Sequence, residues 1–255
     1  MPYFTRNGVR LCWTEAGDPV GFPVVLHTGG AGDGSMWQDG GYVQPLAEYR
    51  LLLFDHRGHG SSDRPGRVAD HRIGEYVADA AMLADAAGLD RYAFVGYSFG
   101  GAVGLRLAVR DPRMRSLVAL GTIYEPPGQV ADSAYEEPAQ VGMAALAEMI
   151  EQSEGILLSD ALRAQFLETD AEQFRLMLAA AEPDPWDELT SVAQPALLLA
   201  GAKEDPDAVQ DAMVSRMPSA RSVHLPGCGH VGAFLRPRDT TAAALPLLRA
   251  AASSP

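Results

Sequence analysis

YAFVGYSFGG, residues 92–101, combines a short apolar run with a Gly-x-Ser-x-Gly turn. The run Tyr92–Val95 has the length and composition of a buried strand, and Phe99–Arg110 has a helical pattern that stops before Asp111-Pro112. A serine on a sharp turn between a strand and a helix is typical of a nucleophile elbow, in which strained backbone holds the hydroxyl clear of the strand end. The five-residue pattern is weakly specific by itself, but this context predicts Ser98 as a nucleophile.

Similar apolar runs recur on both sides of this segment and end in glycine or polar residues, at residues 22–28, 50–54, 116–121, 195–201 and 222–225. Such runs are typical of buried parallel strands. Helical patterns lie between them, at residues 70–87, 99–110, 206–217 and 239–251. The alternation predicts an α/β fold, with a mostly parallel, doubly wound sheet covered by helices on both faces. An Asn7-Gly8 turn between two alternating segments adds an N-terminal hairpin.

The strand pattern stops after Gly121 and resumes at Pro195. Helical patterns at residues 140–151, 160–167 and 170–181 fill the interval, and prolines lie near both of its ends. We therefore predict a core of residues 1–124 and 191–255 with a helical insertion at 125–190. The insertion carries 15 acidic and 2 basic residues between Glu125 and Thr190, so it accounts for the excess negative charge of the chain.

A serine hydroxyl needs a base, and the base needs a carboxylate that fixes its tautomer. His230, in a glycine-rich loop after the last strand, is the predicted base, because reactive groups of open α/β sheets lie where strands end. The loop after residues 197–200 offers Asp205 as the preferred acid, with Glu204 as an alternative. Glu125, beyond another strand end, is a third candidate. Along the chain the three predicted residues therefore follow the order nucleophile, acid, base, as Ser98, Asp205 and His230.

Composition excludes several classes of partner. A net charge of −13 disfavours nucleic acid and anionic membranes, and no apolar run reaches the length of a membrane span. Residues 1–10 lack a secretory pattern, and the two cysteines, Cys12 and Cys228, are interpreted as free thiols of a cytoplasmic protein. The cysteine spacing does not support a zinc site, so we expect no metal. A homo-oligomer is compatible with the sequence.

The chain resembles the α/β-hydrolase fold family over nearly its whole length. Five blocks occur in the family's order: residues 27–30 (HTGG), 55–62 (DHRGHGSS), 96–101 (GYSFGG), 204–206 (EDP) and 229–231 (GHV). The family usually has His-Gly in the first block, whereas this chain has Thr28 after His27. The resemblance implies that the 55–62 block is structural and that residues 125–190 form a lid.

The resemblance also implies a chemistry. It places the oxyanion hole at the backbone amides of Gly29 and Phe99 and suggests Trp37, Tyr97 and Tyr124 as walls of a substrate pocket. The expected reaction is cofactor-free hydrolysis of an ester or lactone of a small, mostly neutral or apolar molecule through an acyl-enzyme. Cleavage of a C–C bond or cofactor-free haloperoxidase chemistry on the same residues is the alternative, and a non-catalytic ligand-binding protein on this fold is a third hypothesis.

Overall fold

Eight strands form a single sheet in a computed structural model that describes residues 1–125, 127, 140–205 and 208–254. The strands are β1 (Tyr3–Arg6), β2 (Val9–Gly17), β3 (Pro23–His27), β4 (Arg50–Asp55), β5 (Tyr92–Tyr97), β6 (Met114–Leu120), β7 (Ala196–Gly201) and β8 (Ala220–Leu225). Their order across the sheet is β1-β2-β4-β3-β5-β6-β7-β8. β2 pairs antiparallel with β1 and β4, and every other neighbouring pair is parallel.

Helices connect the parallel strands and cover the sheet. They are α1 (Met36–Asp39), α2 (Ile73–Ala86), α3 (Phe99–Ala108), α4 (Met143–Glu154), α5 (Asp160–Glu168), α6 (Ala171–Ala179), α7 (Val209–Val214), α8 (His230–Phe234) and α9 (Pro237–Ser253), with 3-10 turns at Val68–His71 and Trp186–Ser191. We refer to α4–α6, residues 143–179, as the inserted helices because they lie between β6 and β7. Among the described residues, no helix is both long and apolar enough to cross a bilayer.

The central strands are buried from end to end. All six residues of β5 and all six of β7 are buried, which matches the continuous apolar runs expected where helices cover both faces. α3 packs on β5 and β6, the two strands nearest the Gly-x-Ser-x-Gly turn. The turn is therefore anchored by the part of the molecule that is best shielded from water.

The predicted fold class is confirmed by this sheet, and the six strands anticipated after the hairpin lie within about two residues of the observed ones. Two local expectations need correction. His230 begins the short helix α8 rather than lying in an open loop, and the helix anticipated from residue 206 is described only from Val209. Pro206, Asp207 and most of the first part of the predicted insertion, residues 126 and 128–139, lie outside the described residues.

Candidate active site

The backbone at Ser98 has the positive φ of a strained turn. Its φ is 54° and its ψ is −119°, directly between the end of β5 and the first residue of α3. Few non-glycine residues adopt a positive φ, and such strain persists only where the surroundings enforce it. The Ser98 N–H donates to Leu120 O at 2.7 Å and the Thr122 hydroxyl donates to Ser98 O at 2.9 Å, so the end of β6 holds both sides of the peptide.

Glycines on both sides of Ser98 allow this geometry. A Cβ atom at Gly96 would overlap the carbonyl oxygen of Gly100, and one at Gly100 would overlap that of His27. The turn therefore needs glycine at these positions because neighbouring backbone passes too close for any side chain. This is the physical content of the Gly-x-Ser-x-Gly pattern in this chain.

His230 lies at the same edge of the sheet, and its imidazole is held by a carboxylate. The Nδ1 atom of His230 hydrogen-bonds the Oε1 atom of Glu204, which follows the end of β7. The imidazole ring of His230 also stacks on the ring of Tyr97, with centroids 5.0 Å apart. Ser98 and His230 line one cavity, while among the described residues no hydrogen bond to the Ser98 hydroxyl is present. Catalytic hydrogen bonds are often long before substrate binds.

The expectation that Asp205 is the partner of His230 is wrong. Both carboxylate oxygens of Asp205 accept backbone N–H groups at the start of α7, from Val209 at 2.7 Å and Gln210 at 2.9 Å. Its Oδ2 atom also lies 3.2 Å from Nε2 of His224 in β8. Successive residues of the loop face different ways, so the longer Glu204 reaches His230 and Asp205 caps a helix.

The pKa of His230 reflects two opposing effects. Burial disfavours the imidazolium and lowers the pKa, but the charge of Glu204, its hydrogen bond and the more distant charge of Glu154 together raise the pKa above the ordinary value of 6.5. A raised pKa strengthens His230 as a proton acceptor. The neutral form that can accept a proton from serine is then dominant only on the alkaline side of this raised value.

Two backbone amides are available near Ser98. A Cβ atom at Gly29 would lie 3.2 Å from that of Ser98, so the two residues are in contact, and Phe99 is the first residue of α3. The N–H groups of a helix's first turn have no partner within the helix, and the helix dipole favours negative charge there. Nε2 of His56 lies 3.0 Å from Gly29 O and donates to it in one tautomer, which steadies the loop. Both residues therefore lie beside Ser98, and an oxyanion hole at their backbone amides stays a prediction.

The 55–62 block has structural contacts, as the resemblance implies. Asp55 accepts the N–H groups of Gly34 at 2.9 Å and Ser61 at 3.0 Å, and burial raises its pKa to about 6. Arg57 forms a buried bidentate ion pair with Asp79, at 2.7 and 2.9 Å. These contacts fix the 55–62 loop, which contacts the Gly29 segment through His56.

His27, His56 and His59 form a fully buried group, which we call the histidine cluster. Ring centroids lie 5.1 Å apart for the first pair and 4.0 Å apart for the second. Burial lowers the pKa of all three, and that of His27 falls to about 3. The rings are therefore neutral near pH 7. Among the described residues no group of three or more His, Cys, Asp or Glu side chains is placed to hold a metal ion.

A cavity of about 400 Å³ opens above Ser98. This volume lies within the range of small-molecule sites. Its wall is mainly apolar, with Leu146, Ile150, Phe166, Phe174, Met177 and Leu178 from the inserted helices. A polar part of the wall comprises His71, Arg106, Glu125, Glu182 and Asp184. Of this set Arg106 is already paired with Asp184 at 3.0 Å, so the remaining charge is acidic.

The predicted pocket walls divide into one that faces the cavity and two that do not. Tyr97 lines the cavity beside Ser98. Trp37 is completely buried against Tyr42 and Phe234, and Tyr124 is buried against Trp186, so both belong to the core and not to the cavity lining. Large aromatic side chains near a site in sequence stabilise the core more often than they contact a ligand.

The inserted helices are hydrogen-bonded to the loop that follows Gly29. The Gly32 N–H donates to Thr169 Oγ1 at 2.8 Å, and the Asp33 N–H donates to Gln165 Oε1 at 3.2 Å. The Gln165 amide donates in turn to Ser35 Oγ at 2.6 Å. These polar contacts join residues 130 to 137 positions apart, so no local pattern in the sequence indicates them.

The sequence held one signal for the carboxylate that contacts His230. An aspartate shortly before a predicted helix is a common cap, because its oxygens accept the free N–H groups of the first turn. Applied to Asp205 and the helix predicted from residue 206, this rule leaves Glu204 as the residue free to contact His230. Glu125, the third candidate, lines the cavity, and its backbone N–H donates to Asp184 at 2.9 Å.

Comparisons with known proteins identify the family and agree with the fold. The sequence model of the alpha/beta hydrolase family matches residues 24–244. The putative carbamate hydrolase RutD of Azorhizobium caulinodans is 33% identical over 119 residues, which cover 46% of this chain and 43% of that protein. The matched segment thus spans less than half the length of that curated relative.

Two solved structures share the fold over nearly the whole chain. The enol-lactonase of Burkholderia xenovorans LB400 superposes with a TM-score of 0.82 at 26% identity and covers 97% of this chain and 100% of that chain. A putative aryl esterase of Burkholderia cenocepacia gives 0.85 at 21% identity, over 99% and 100% of the two chains. The second likeness, at this low identity, concerns the fold alone.

Proposed function

Because the chain belongs to the alpha/beta hydrolase family, we propose that it is a serine hydrolase that cleaves a carboxylic ester or lactone. One observation carries the proposal. Ser98 is held at a positive φ on the wall of a cavity that it shares with His230, whose Nδ1 is bonded to Glu204. Nucleophile, base and orienting carboxylate thus come from three separate strand ends at one edge of the sheet.

The proposed mechanism has two halves. Ser98 Oγ attacks the substrate carbonyl while His230 accepts its proton, and the Glu204 carboxylate stabilises the imidazolium that forms. The amides of Gly29 and Phe99 donate to the developing oxyanion, and each is worth about 2.7–4 kcal/mol in the transition state. His230 then protonates the leaving alcohol, which breaks the ester bond. In the second half His230 deprotonates a water that attacks the acyl carbon, and it then returns the proton to Ser98 Oγ as the acyl–oxygen bond breaks and the acid leaves.

The cavity supports a small and mostly neutral substrate. Its apolar side favours a hydrocarbon acyl or alcohol group, and its volume of about 400 Å³ limits the size. On its polar side Arg106 is paired with Asp184, and Glu125 and Glu182 are acidic. Glu182 has only a loose ion pair with the exposed Arg72, at 4.0 Å, so this part of the wall has an excess of acidic groups, which disfavours an anionic substrate by repulsion. The enol-lactonase likeness supports including lactones among the candidates.

The experiment combines a covalent probe with a substrate panel. We expect a fluorophosphonate probe to label the wild-type chain and to leave Ser98→Ala unlabelled. A panel of short p-nitrophenyl esters, lactones and β-diketones, each in neutral and carboxylate-bearing form, then separates ester from C–C bond cleavage. Absence of labelling in folded wild-type protein would contradict the enzymatic proposal, and faster turnover of the anionic substrates would contradict the proposed substrate class.

A further inference from the structure

The short helix that carries His230 is capped by a residue from the inserted helices. Glu154, the last residue of α4, accepts the Val231 N–H on Oε1 and the Gly232 N–H on Oε2, both at 2.8 Å. These are free N–H groups of the first turn of α8, which have no partner within the helix. The residue that normally provides a cap is Gly229 here, and it has no side chain to do so.

The local sequence makes room for this distant carboxylate. A Cβ atom at Gly229 would lie 2.8 Å from Glu154 Oε2, and one at Gly232 would lie 3.2 Å from it. The two glycines on either side of His230 and Val231 therefore allow Glu154 to approach the backbone. Their presence is explained by this contact as well as by the turn that they form.

We infer that Glu154 is a positioning residue for the base, so that α4 must be docked on the core for His230 to have its active orientation. The inference rests on the proposed function and extends it, since the Glu154 carboxylate contacts backbone on the C-terminal side of His230 and not the reacting atoms. The two hydrogen bonds hold α8, and through it the imidazole, against Glu204. A displacement of about 1 Å at a reacting group can lower a rate by about 100-fold, so such fixation has a measurable effect.

Glu154 also acts on the charge of the base. The groups that act on the His230 ring are Glu204, whose carboxylate bonds Nδ1, the stacked ring of Tyr97, and the more distant charge of Glu154. A carboxylate near the imidazole favours the protonated form and raises its pKa. Removing the charge of Glu154 should therefore lower the pKa of His230, whereas a purely structural contact with the backbone would leave it unchanged.

The test compares Glu154→Gln with Glu148→Gln, which makes the same change at an exposed position of the same helix. In Glu154→Gln one oxygen acceptor is replaced by a donor, so we expect kcat/KM on the pH plateau to fall about 10-fold, with the acid limb of the pH profile at lower pH. Glu148→Gln should match the wild type in both. Gly229→Ala, which pushes the Glu154 carboxylate away, should reproduce the loss of rate.

A second readout does not depend on activity. In protein with labelled histidines, NMR titration of the His230 resonance, assigned by its loss in His230→Gln, should give a lower pKa in Glu154→Gln than in Glu148→Gln. Equal His230 titration and equal pH profiles in the two variants would overturn the inference. An unlabelled and inactive wild type would instead contradict the proposed function, so the two failures are distinguishable. Unchanged near-UV circular dichroism shows that each variant is folded.

Discussion

The adjacent carboxylates Glu204 and Asp205 provide the sharpest test of the site. Glu204 hydrogen-bonds Nδ1 of His230, whereas Asp205 accepts two backbone N–H groups of α7 and contacts His224. Replacing each by its amide changes few atoms and removes one negative charge in both cases. We therefore expect Glu204→Gln to affect catalysis and Asp205→Asn to affect stability.

The expected magnitudes follow from these contacts. In Glu204→Gln the amide favours the wrong imidazole tautomer and no longer stabilises the imidazolium. In serine proteases the equivalent change lowers kcat by about 10,000-fold, or about 5.5 kcal/mol of transition-state stabilisation, and we expect a loss of about 10³–10⁴. In Asp205→Asn one acceptor oxygen remains and the other is lost. Partial loss of a cap costs about 1–2 kcal/mol of unfolding free energy, or roughly 2–8 °C in Tm, with kcat/KM changed less than about threefold.

The assay measures kcat/KM with a p-nitrophenyl ester, the rate of fluorophosphonate labelling at Ser98, and Tm, on both variants side by side. Glu204→Gln should also move the acid limb of the pH profile to lower pH, because the charge of Glu204 raises the pKa of His230. The reasoning is refuted if Asp205→Asn shows the severe loss of activity that we expect of Glu204→Gln, while Glu204→Gln retains wild-type turnover.

Three further outcomes are expected. The histidine cluster has pKa values below 6.5 in the folded state, so the unfolded chain binds more protons below that pH. The free energy of unfolding should therefore fall as pH drops from 6.5 to 5, by about 2 kcal/mol for a member whose pKa is about 3, and the urea midpoint should fall with it. Asp55, whose pKa is raised to about 6, offsets part of this loss because its contribution has the opposite sign. A flat midpoint would contradict this. Gly101→Ala should lower the free energy of unfolding by about 1–3 kcal/mol, because the added Cβ overlaps the Thr122 hydroxyl. Part of this stability should return in the double variant with Thr122→Ala. Additive losses in the double-mutant cycle would argue against the overlap. Gln165→Ala removes the hydrogen bonds to Asp33 and Ser35 in the loop after Gly29, whose amide is a proposed oxyanion donor. The rate of probe labelling should therefore fall about 10-fold at a nearly constant Tm. An unchanged rate would count against a role of Gln165 in holding this loop.

Much of the fold followed from periodicity. Apolar runs bounded by glycine located the strands of the sheet, because a strand buried on both faces leaves a continuous hydrophobic segment. The Gly-x-Ser-x-Gly turn indicated the position of Ser98 for a steric reason, since a Cβ atom at Gly96 would overlap backbone. Both signals are local, and each depends on residues within about ten positions of one another.

The contact between Glu204 and His230 is not a local feature of this kind, although the helix-cap rule assigns Asp205 to the start of a helix. Glu204 and Asp205 are neighbours with the same charge. Which of them faces His230 depends on the path of their loop, and that path is set by the packing of α7 against β8. Glu154 lies 76 positions before His230 and carried no sequence signal at all for its contact with α8. Trp37 was likewise indistinguishable from a pocket residue until its burial against Phe234 was visible.

By itself, the sequence determined the α/β class and the strand-to-helix turn that carries Ser98, and it predicted His230 as the base, since these depend on short-range sterics and on the alternation of apolar segments. Tertiary structure alone decided which carboxylate contacts His230, which aromatic residues face the cavity, and how the inserted helices contact both the Gly29 loop and α8. Those contacts join residues far apart in the chain, and their distances are set by how the helices pack on the sheet.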